Sequence, residues 1–415
     1  MTEQLDEMED VESFRLRARK WLKENMPRLP ENPKPVTGDD DEDWLRAREL
    51  QKMLYEGGFA GICFPKKYGG LGLTPAHQQA FTEESRGYEM PLLLNIPTFT
   101  ICAATILDMG TEQQKREHIS AAIRGEEVMV QFLSEPRGGS DLAGVITRAD
   151  RDGDVWVLNG AKIWSTSAYA ADYALCLART DWDAPKHRGL TMFLVKVHQP
   201  GITLRRIKMV NGSTEFCEEF FDNVILPADS VIGEVNGGWA VASRLLYHER
   251  TAVGGGSPYA SGEGRRDRYA PSYDFVDLAR RTGQAGDVRV RELIGEAWAM
   301  RKVQEQLIDR VTTGIANGHL PDSASSITRL FHAEVDWKMA DVGLQIAGSA
   351  VPAGVFGENG PLDYGKYYLM RQATSLGGGS TEMARNIISE RLLGMPREYA
   401  ADRDIPFSQV PQGRS

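Results

Sequence analysis

Between residues 127 and 237 the chain breaks into short segments rich in β-branched and aromatic residues. These are DVWVLNGAKIW, DYALCLART, GLTMFLVKV, GITLRRIKM and EEFFDNVIL, separated by Asn-Gly, Arg-Gly and Pro-Gly steps. They read as strands joined by tight turns, and Asn159-Gly160 is a strong hairpin-turn signal. On both sides the period becomes helical. From Val11 to about Arg124 apolar residues recur at three and four, as Trp44, Ala47, Leu50 and Leu54 do, and helix returns from about Gly238 to Gly394. Helices, then strands, then helices predict an α+β chain: a helical unit over 1–126, an antiparallel β unit over 127–237, a helical unit over 238–398, and a tail over 399–415. The acidic run at 39–43 reads as a solvated loop entering a helix. The glycine-rich stretch 254–272 reads as a mobile loop, because no Lys-Ser/Thr follows its glycines as in a phosphate-binding loop.

Composition narrows the function classes. Lys plus Arg is 48 against 58 for Asp plus Glu, a formal charge of −10, which repels phosphate backbones and anionic lipid surfaces. Neither nucleic acid nor a membrane is expected as a partner, and no uninterrupted apolar run reaches the ~18 residues of a membrane span. The acidic start MTEQLDEMED is unlike a targeting peptide, so a cytoplasmic protein is expected. Cys63, Cys102, Cys176 and Cys217 lie far apart with no CxxC, and the seven histidines form no HExxH. No disulfide framework and no protein-held metal is expected.

Four places carry residue types suited to chemistry. In GWAVASRLLYHERTAV, Glu249 falls amid Trp239, Ala242, Leu245, Leu246 and Val253 on one helical side. Such an acid is either ion-paired with Arg250 or Arg244, or a carboxylate whose raised pKa suits it to take a proton from carbon. SEPRGGSD at 134–141 is a turn with hydroxyls and close backbone N–H groups, fit for an anion or a ring edge or simply a surface loop. KIWST at 162–166 sets Trp164, which core packing alone would explain, beside hydroxyl residues. In SLGGGSTEMARNII at 375–388, Ser380 or Thr381 either caps a helix or presents N–H groups to a phosphate.

Taken in order, LSEPRGGSDLAG, NGAKIWST, FFDNVILP and GGGSTEMARNIISERLLGMPRE, with GFAGICFPKKYGGLGL and GTEQQKREHISAAIRGEEV upstream, make a chain that resembles the acyl-CoA dehydrogenase family from about residue 12 to 398. The resemblance implies an N-terminal α-helical domain, a middle β-barrel domain and a C-terminal four-helix bundle. It implies an FAD enzyme that oxidises an acyl-CoA to the trans-2-enoyl-CoA: a carboxylate takes the α proton, hydride passes to flavin N5, and electron-transferring flavoprotein reoxidises the FAD. It assigns flavin contacts to the segment from Gln131 through Leu133, Ser134 and Gly139 to Ser140. Trp164 matches the aromatic over the ring and Thr166 the hydroxyl near N5, with Gln345, Gly348, Ser380 and Glu382 from the helical domain. Ser140 stands at a position associated with pyrophosphate or CoA, and Arg250 and Gly378 fall on the substrate side.

The chain departs from the family pattern where many members carry the base, because that position is Gly378, between Gly377 and Gly379. A branch resembling the isovaleryl and long-chain enzymes places the base before an arginine on the helix opening the last domain, and Glu249-Arg250 matches it. An Arg-x-x-Phe element is not matched clearly by Arg280 or Arg281, and Gln-x-x-Gly-Gly becomes QIAGS, ending in Ser349. The resemblance implies a tetramer, either of identical chains or with a homologous chain that completes the flavin site. The glycine triplet would admit a branched or ring-bearing acyl group, or only relax a turn. A non-catalytic half-site subunit and a flavin oxidase or monooxygenase on the same fold are the alternatives.

Overall fold

The computed structural model describes residues 8–30, 36, 38–253, 256–260, 262, 274–348 and 362–411. In the N-terminal part, Asp10 starts α1 (Val11–Asn25) by accepting the N–H groups of Glu12 and Ser13, and Asp40 starts α2 (Asp41–Glu56) by accepting that of Asp43. Such caps satisfy N–H groups that lack an intrahelical partner, each contributing about 1 kcal/mol. The acidic run is only partly a solvated loop. Asp39 reaches the β domain, where its carboxylate accepts the Ser213 hydroxyl at 2.8 Å and the Thr214 N–H at 2.7 Å.

α3 (Pro75–Glu84) packs on α1. α4 (Leu92–Leu94) is broken by a kink at Ile96, where the backbone is extended (φ −128°, ψ 124°), and the stretch Asn95–Ala103 then leads, π-helical beyond the kink, into α5 (Ala104–Met109). By length and mean hydropathy alone Leu92–Met109 is enough to cross a membrane, although Asn95, Thr98, Thr100, Thr105 and Asp108 interrupt its apolar residues. Most of it lies inside the molecule, with Leu94, Cys102 and Ile106 fully covered. Two short helices, α6 (Glu112–Gln114) and α7 (Ser120–Ile123), lead to the sheet.

The strands are β1 (Met129–Phe132), β2 (Arg148–Asp152), β3 (Val155–Thr166), β4 (Tyr173–Arg179), β5 (Leu190–Lys196), β6 (Ile202–Arg206), β7 (Phe216–Pro227) and β8 (Val231–Ile232). They form one sheet in the order β6-β7-β3-β2-β4-β5-β8, with β1 beside β4. Most neighbours are antiparallel as expected, but β1 and β2 both run parallel to β4, Val130 opposite Ala174 and Arg148 opposite Arg179. The β2–β3 hairpin turns at Gly153, and Asn159-Gly160 lies inside β3 instead of at a turn. There the register against β7 shifts, and Asn159 Oδ1 accepts the Asn223 N–H at 2.8 Å. Gly160 has φ +142°, and a Cβ would meet Thr147 Cα at 2.8 Å, so the glycine serves a bulge and a close crossing.

The C-terminal helices are α8 (Gly238–Val253), α9 (Phe275–Arg281), α10 (Val288–Ala316), α11 (Ser325–Ala347), α12 (Leu362–Met370) and α13 (Thr381–Ile387). Phe275, Leu278, Val290, Leu293, Met339 and Val342 close a second apolar core between α9, α10 and α11. α8 instead packs on the π-helical stretch, α5 and β5. Its first residue, Gly238, lies so near β5 that a Cβ would fall 2.6 Å from Thr191 Cα. Of the loop expected at 254–272, residues 256–260 and 262 are described; Tyr259 packs on Phe64 with ring centroids 4.5 Å apart. The stretch 399–411 is more than a tail, because it returns to the β domain. Phe407 N–H donates to Ala184 O at 3.0 Å, and Ser408 N–H to Trp182 O at 2.8 Å.

Candidate functional site

Glu249 sits in the last turns of α8. Its residue keeps some surface accessible to solvent, yet the carboxyl itself is deeply enclosed by protein. Burial pushes the acid above the ordinary carboxylate range. The Gln131 side chain, the charges of Arg250 and Arg329, and the Gly378 backbone N–H act against that rise without cancelling it. Of the two arginines the sequence offered as ion-pair partners, Arg244 pairs with Asp108. Arg250 faces Glu249, but among the described residues no cation lies within ion-pair distance of the carboxyl. A raised, unpaired carboxyl facing donors is equipped to exchange a proton with a bound molecule.

Arg329 is a residue the sequence reading did not single out. It projects from α11, is fully buried, and donates from Nε to the Gly377 carbonyl at 3.1 Å. This ties the glycine turn to α11, with Val253 at the end of α8 beside Gly378. Gly378 has φ +74°, and a Cβ there would lie 3.3 Å from Arg329 Nε. The absence of a side chain at Gly378 therefore leaves room for a buried guanidinium, and the turn's N–H is free to face Glu249. The signal was available as an arginine between Ile327 and Leu330-Phe331 in SSITRLF.

On the sheet side, β1 delivers Gln131 toward Glu249 and leads into the turn expected to hold a ring or an anion. Leu133 is buried and Ser134 half-buried. The Ser134 carbonyl accepts the Ile163 N–H at 3.0 Å, which sets this segment beside Trp164 on β3. Beneath lies a cluster that was also missed. Lys162, fully buried, donates from Nζ to Leu133 O and to Glu135 Oε1, both at 3.0 Å. Glu135 further accepts the N–H groups of Ile146 at 2.7 Å and Thr147 at 2.8 Å. Burial raises the Glu135 carboxyl, but the Lys162 charge and these donors outweigh it and leave it below the ordinary range. Period-two counting back from Lys162 to Trp156 and Leu158 would have placed the lysine inside. Gly139 and Ser140 lie exposed on the turn, and a Cβ at Gly139 would fall 2.8 Å from Ser134 Oγ.

Trp164 is the clearest departure from a core tryptophan. The register of β3 against β7 shifts between Ile163 and Ser165, Trp164 takes φ +68°, and its side chain is 51% exposed. A left-handed φ on a bulky residue costs about 1–3 kcal/mol and concentrates where a ligand is held. Ser165 turns inward, donating to Glu219 at 3.0 Å, while Thr166 stays half-buried beside Trp164. A flavin fits this part of the site. An uncovered aromatic face stands ready to cover a planar ring, and Gln131 Oε1 is buried without a hydrogen-bond partner.

Among the described residues the helical-domain candidates make no hydrogen bond to Gln131, Ser134, Trp164 or Thr166. Ser380 caps α13, its hydroxyl accepting the Met383 N–H at 3.3 Å, and Glu382 is exposed on the same helix. Gln345 and Gly348 are exposed at the end of α11, and Arg280 and Arg281 are exposed on α9. Ser349 lies outside the described residues.

Three family models match the chain in order: acyl-CoA dehydrogenase N-terminal domain at 8–126, middle domain at 131–224 and C-terminal domain at 236–393. Acyl-CoA dehydrogenase IpdE1 of Mycobacterium tuberculosis (strain ATCC 25618 / H37Rv) is 34% identical over 397 residues, covering 94% of this chain and 99% of its own. The protein of the same name from Mycolicibacterium smegmatis is 32% identical over 409 residues, with 94% and 99% covered. Among solved structures, the Tcur3481-Tcur3483 steroid ACAD matches with a TM-score of 0.75 at 27% identity, over 94% of this chain and 98% of that one.

Proposed function

The chain belongs to the acyl-CoA dehydrogenase family and is an oxidoreductase of that kind; from that premise we propose that it converts an acyl-CoA to the trans-2-enoyl-CoA with Glu249 as the base. The observation that carries this reading is the Glu249 environment, a carboxyl raised by burial, facing Gln131, Arg250, Arg329 and the Gly378 N–H. FAD, when bound, supplies the hydride acceptor for the β hydrogen. The chain's own residues do the rest. Gln131, Leu133, Ser134 and Trp164 would hold the flavin ring, Thr166 would lie at its edge, and Gly139 and Ser140 would take the pyrophosphate or CoA end. As the α carbon loses its proton, Glu249 becomes neutral, the state its burial favours, so the enclosed site assists the transfer. Arg250 and Arg329 keep the carboxylate accessible before that step by opposing the desolvation cost.

A bulky acyl group, branched or ring-bearing, is the substrate class in this reading. It is supported by the open positions at Gly377 and Gly379 and by the likeness to a protein described as a steroid ACAD. Electron-transferring flavoprotein is the proposed electron acceptor, and a tetramer the proposed assembly. The exposed setting of Gln345, Gly348 and Glu382 favours a flavin site completed by a neighbouring chain. That neighbour is a second copy or a homologous partner.

The purified chain tests the reading. It should be yellow and bleach with a branched or ring-bearing acyl-CoA. Glu249→Gln should lower turnover roughly 10²- to 10⁴-fold with flavin retained, because the amide keeps the shape and takes no proton. Turnover within a few-fold of the parent would remove Glu249 from the role. Colourless protein that binds a homologous chain would favour a half-site subunit, and rapid peroxide formation without an acceptor would favour an oxidase.

A further inference from the structure

The turn at 134–147 is held from two sides. Its inner side rests on the Glu135–Lys162 pair. Its outer side rests on Arg179, the last residue of β4, which is fully buried. Arg179 donates from Nη2 to Ala143 O at 2.6 Å, from Nε to Val145 O at 3.1 Å, and from Nη1 to Lys186 O at 3.3 Å. Its own N–H donates to Thr147 O at 2.7 Å. Among the described residues no carboxylate stands within ion-pair distance of this guanidinium, and burial lowers its pKa to about 10. What covers the cation is an aromatic ring from the far end of the chain. Phe407, 2% exposed, lies with its centroid 3.5 Å from Arg179 Cζ, and Trp182 packs on the same ring at 5.6 Å. A second tie runs alongside: Lys186 Nζ sits 2.8 Å from Asp141 and 3.4 Å from Asp402.

We infer that the 402–408 segment is a positioning element for the flavin and CoA turn, with Phe407 holding Arg179 so that Arg179 fixes the carbonyls of Ala143 and Val145. The C-terminal family match ends at residue 393, so the Phe407 side of the clamp lies beyond it, while Arg179 lies inside the middle-domain match. The physical chain is short. A buried guanidinium without a carboxylate depends on its π-face contact and on exclusion of water. Removing the ring admits water, frees the guanidinium and leaves three carbonyls without their donor. The 3₁₀ turn Leu142–Gly144, one residue beyond Ser140, then loses its outer support.

The inference rests on the flavin reading for its consequence but not for its structural core, and the test separates the two. Phe407→Ala and Phe407→Tyr are prepared in the full chain, with Asp402→Asn as a milder cut of the Lys186 tie. Amide hydrogen exchange of residues 141–147 is followed without flavin, and FAD affinity is measured on stripped protein. Expected are exchange about tenfold faster over 141–147 in Phe407→Ala, FAD affinity about tenfold weaker, and recovery of both in Phe407→Tyr. KM for acyl-CoA should rise more than kcat falls. Unchanged exchange in a folded Phe407→Ala overturns the clamp whatever the flavin does. Faster exchange with unchanged FAD affinity overturns the positioning role. A parent that takes up no FAD overturns the flavin reading and leaves the exchange result to judge the clamp. Should Phe407→Ala fail to fold, unchanged exchange at 141–147 in Asp402→Asn overturns the inference, and faster exchange there supports it.

Discussion

Glu219 shows how a single buried acid marks the chain's response to pH. Burial pushes its carboxyl up to about 8, against the Ser165 hydrogen bond and the Lys162 charge. In the unfolded chain the group ionises near the ordinary 4.5. Between those values the unfolded chain binds fewer protons, so this group's contribution to stability falls as pH rises through the window. Glu219→Gln keeps an acceptor for Ser165 and removes the slope. Its melting temperature relative to the parent should rise between about pH 5 and about pH 8, and a constant difference would assign the strain elsewhere. Glu249 was legible at this scale because an acid interrupting an apolar helical stripe is visible in one dimension. The burial of Arg329 and Lys162 left a signal in one dimension, but the partners of Arg329, Lys162 and Arg179 did not, because what each touches, the Gly377, Leu133 and Ala143 carbonyls, is set by tertiary approach of backbone.

Among elements, the glycine turn before α13 has the most to lose. Gly378→Ala should cost about 1–3 kcal/mol in thermal or denaturant unfolding, because φ +74° strains any L side chain and Arg329 Nε stands 3.3 Å away. It should also lower turnover, since the displaced N–H no longer faces Glu249. Stability and turnover equal to the parent would mean that the turn is free to shift. Element types were readable from period: the helical flanks and the strand-rich middle follow directly from it. The use of Asn159-Gly160 was not. The dipeptide that favours a two-residue hairpin equally suits a bulge, and only the crossing of Thr147 over Gly160 decides between them. Trp164 follows the same logic, since strict alternation puts it inside and the bulge turns it out.

For the whole molecule, contacts between domains decide whether the site exists. Asp39→Ala removes acceptors for the Ser213 hydroxyl and the Thr214 N–H. It should destabilise by about 1–3 kcal/mol, with faster amide exchange at Thr214, and unchanged exchange would show that the N-terminal domain docks without it. Gly238 has the longest reach of these contacts. Because its missing side chain lets α8 abut β5 at Thr191, the helix has a fixed zero. Glu249 stands eleven residues along it, about 16 Å by helical rise. The sheet thus acts as a datum and α8 as a graduated rod. One residue inserted between 238 and 249 would swing the acid by about 100° away from Gln131 while leaving the strand pairing of the sheet in place.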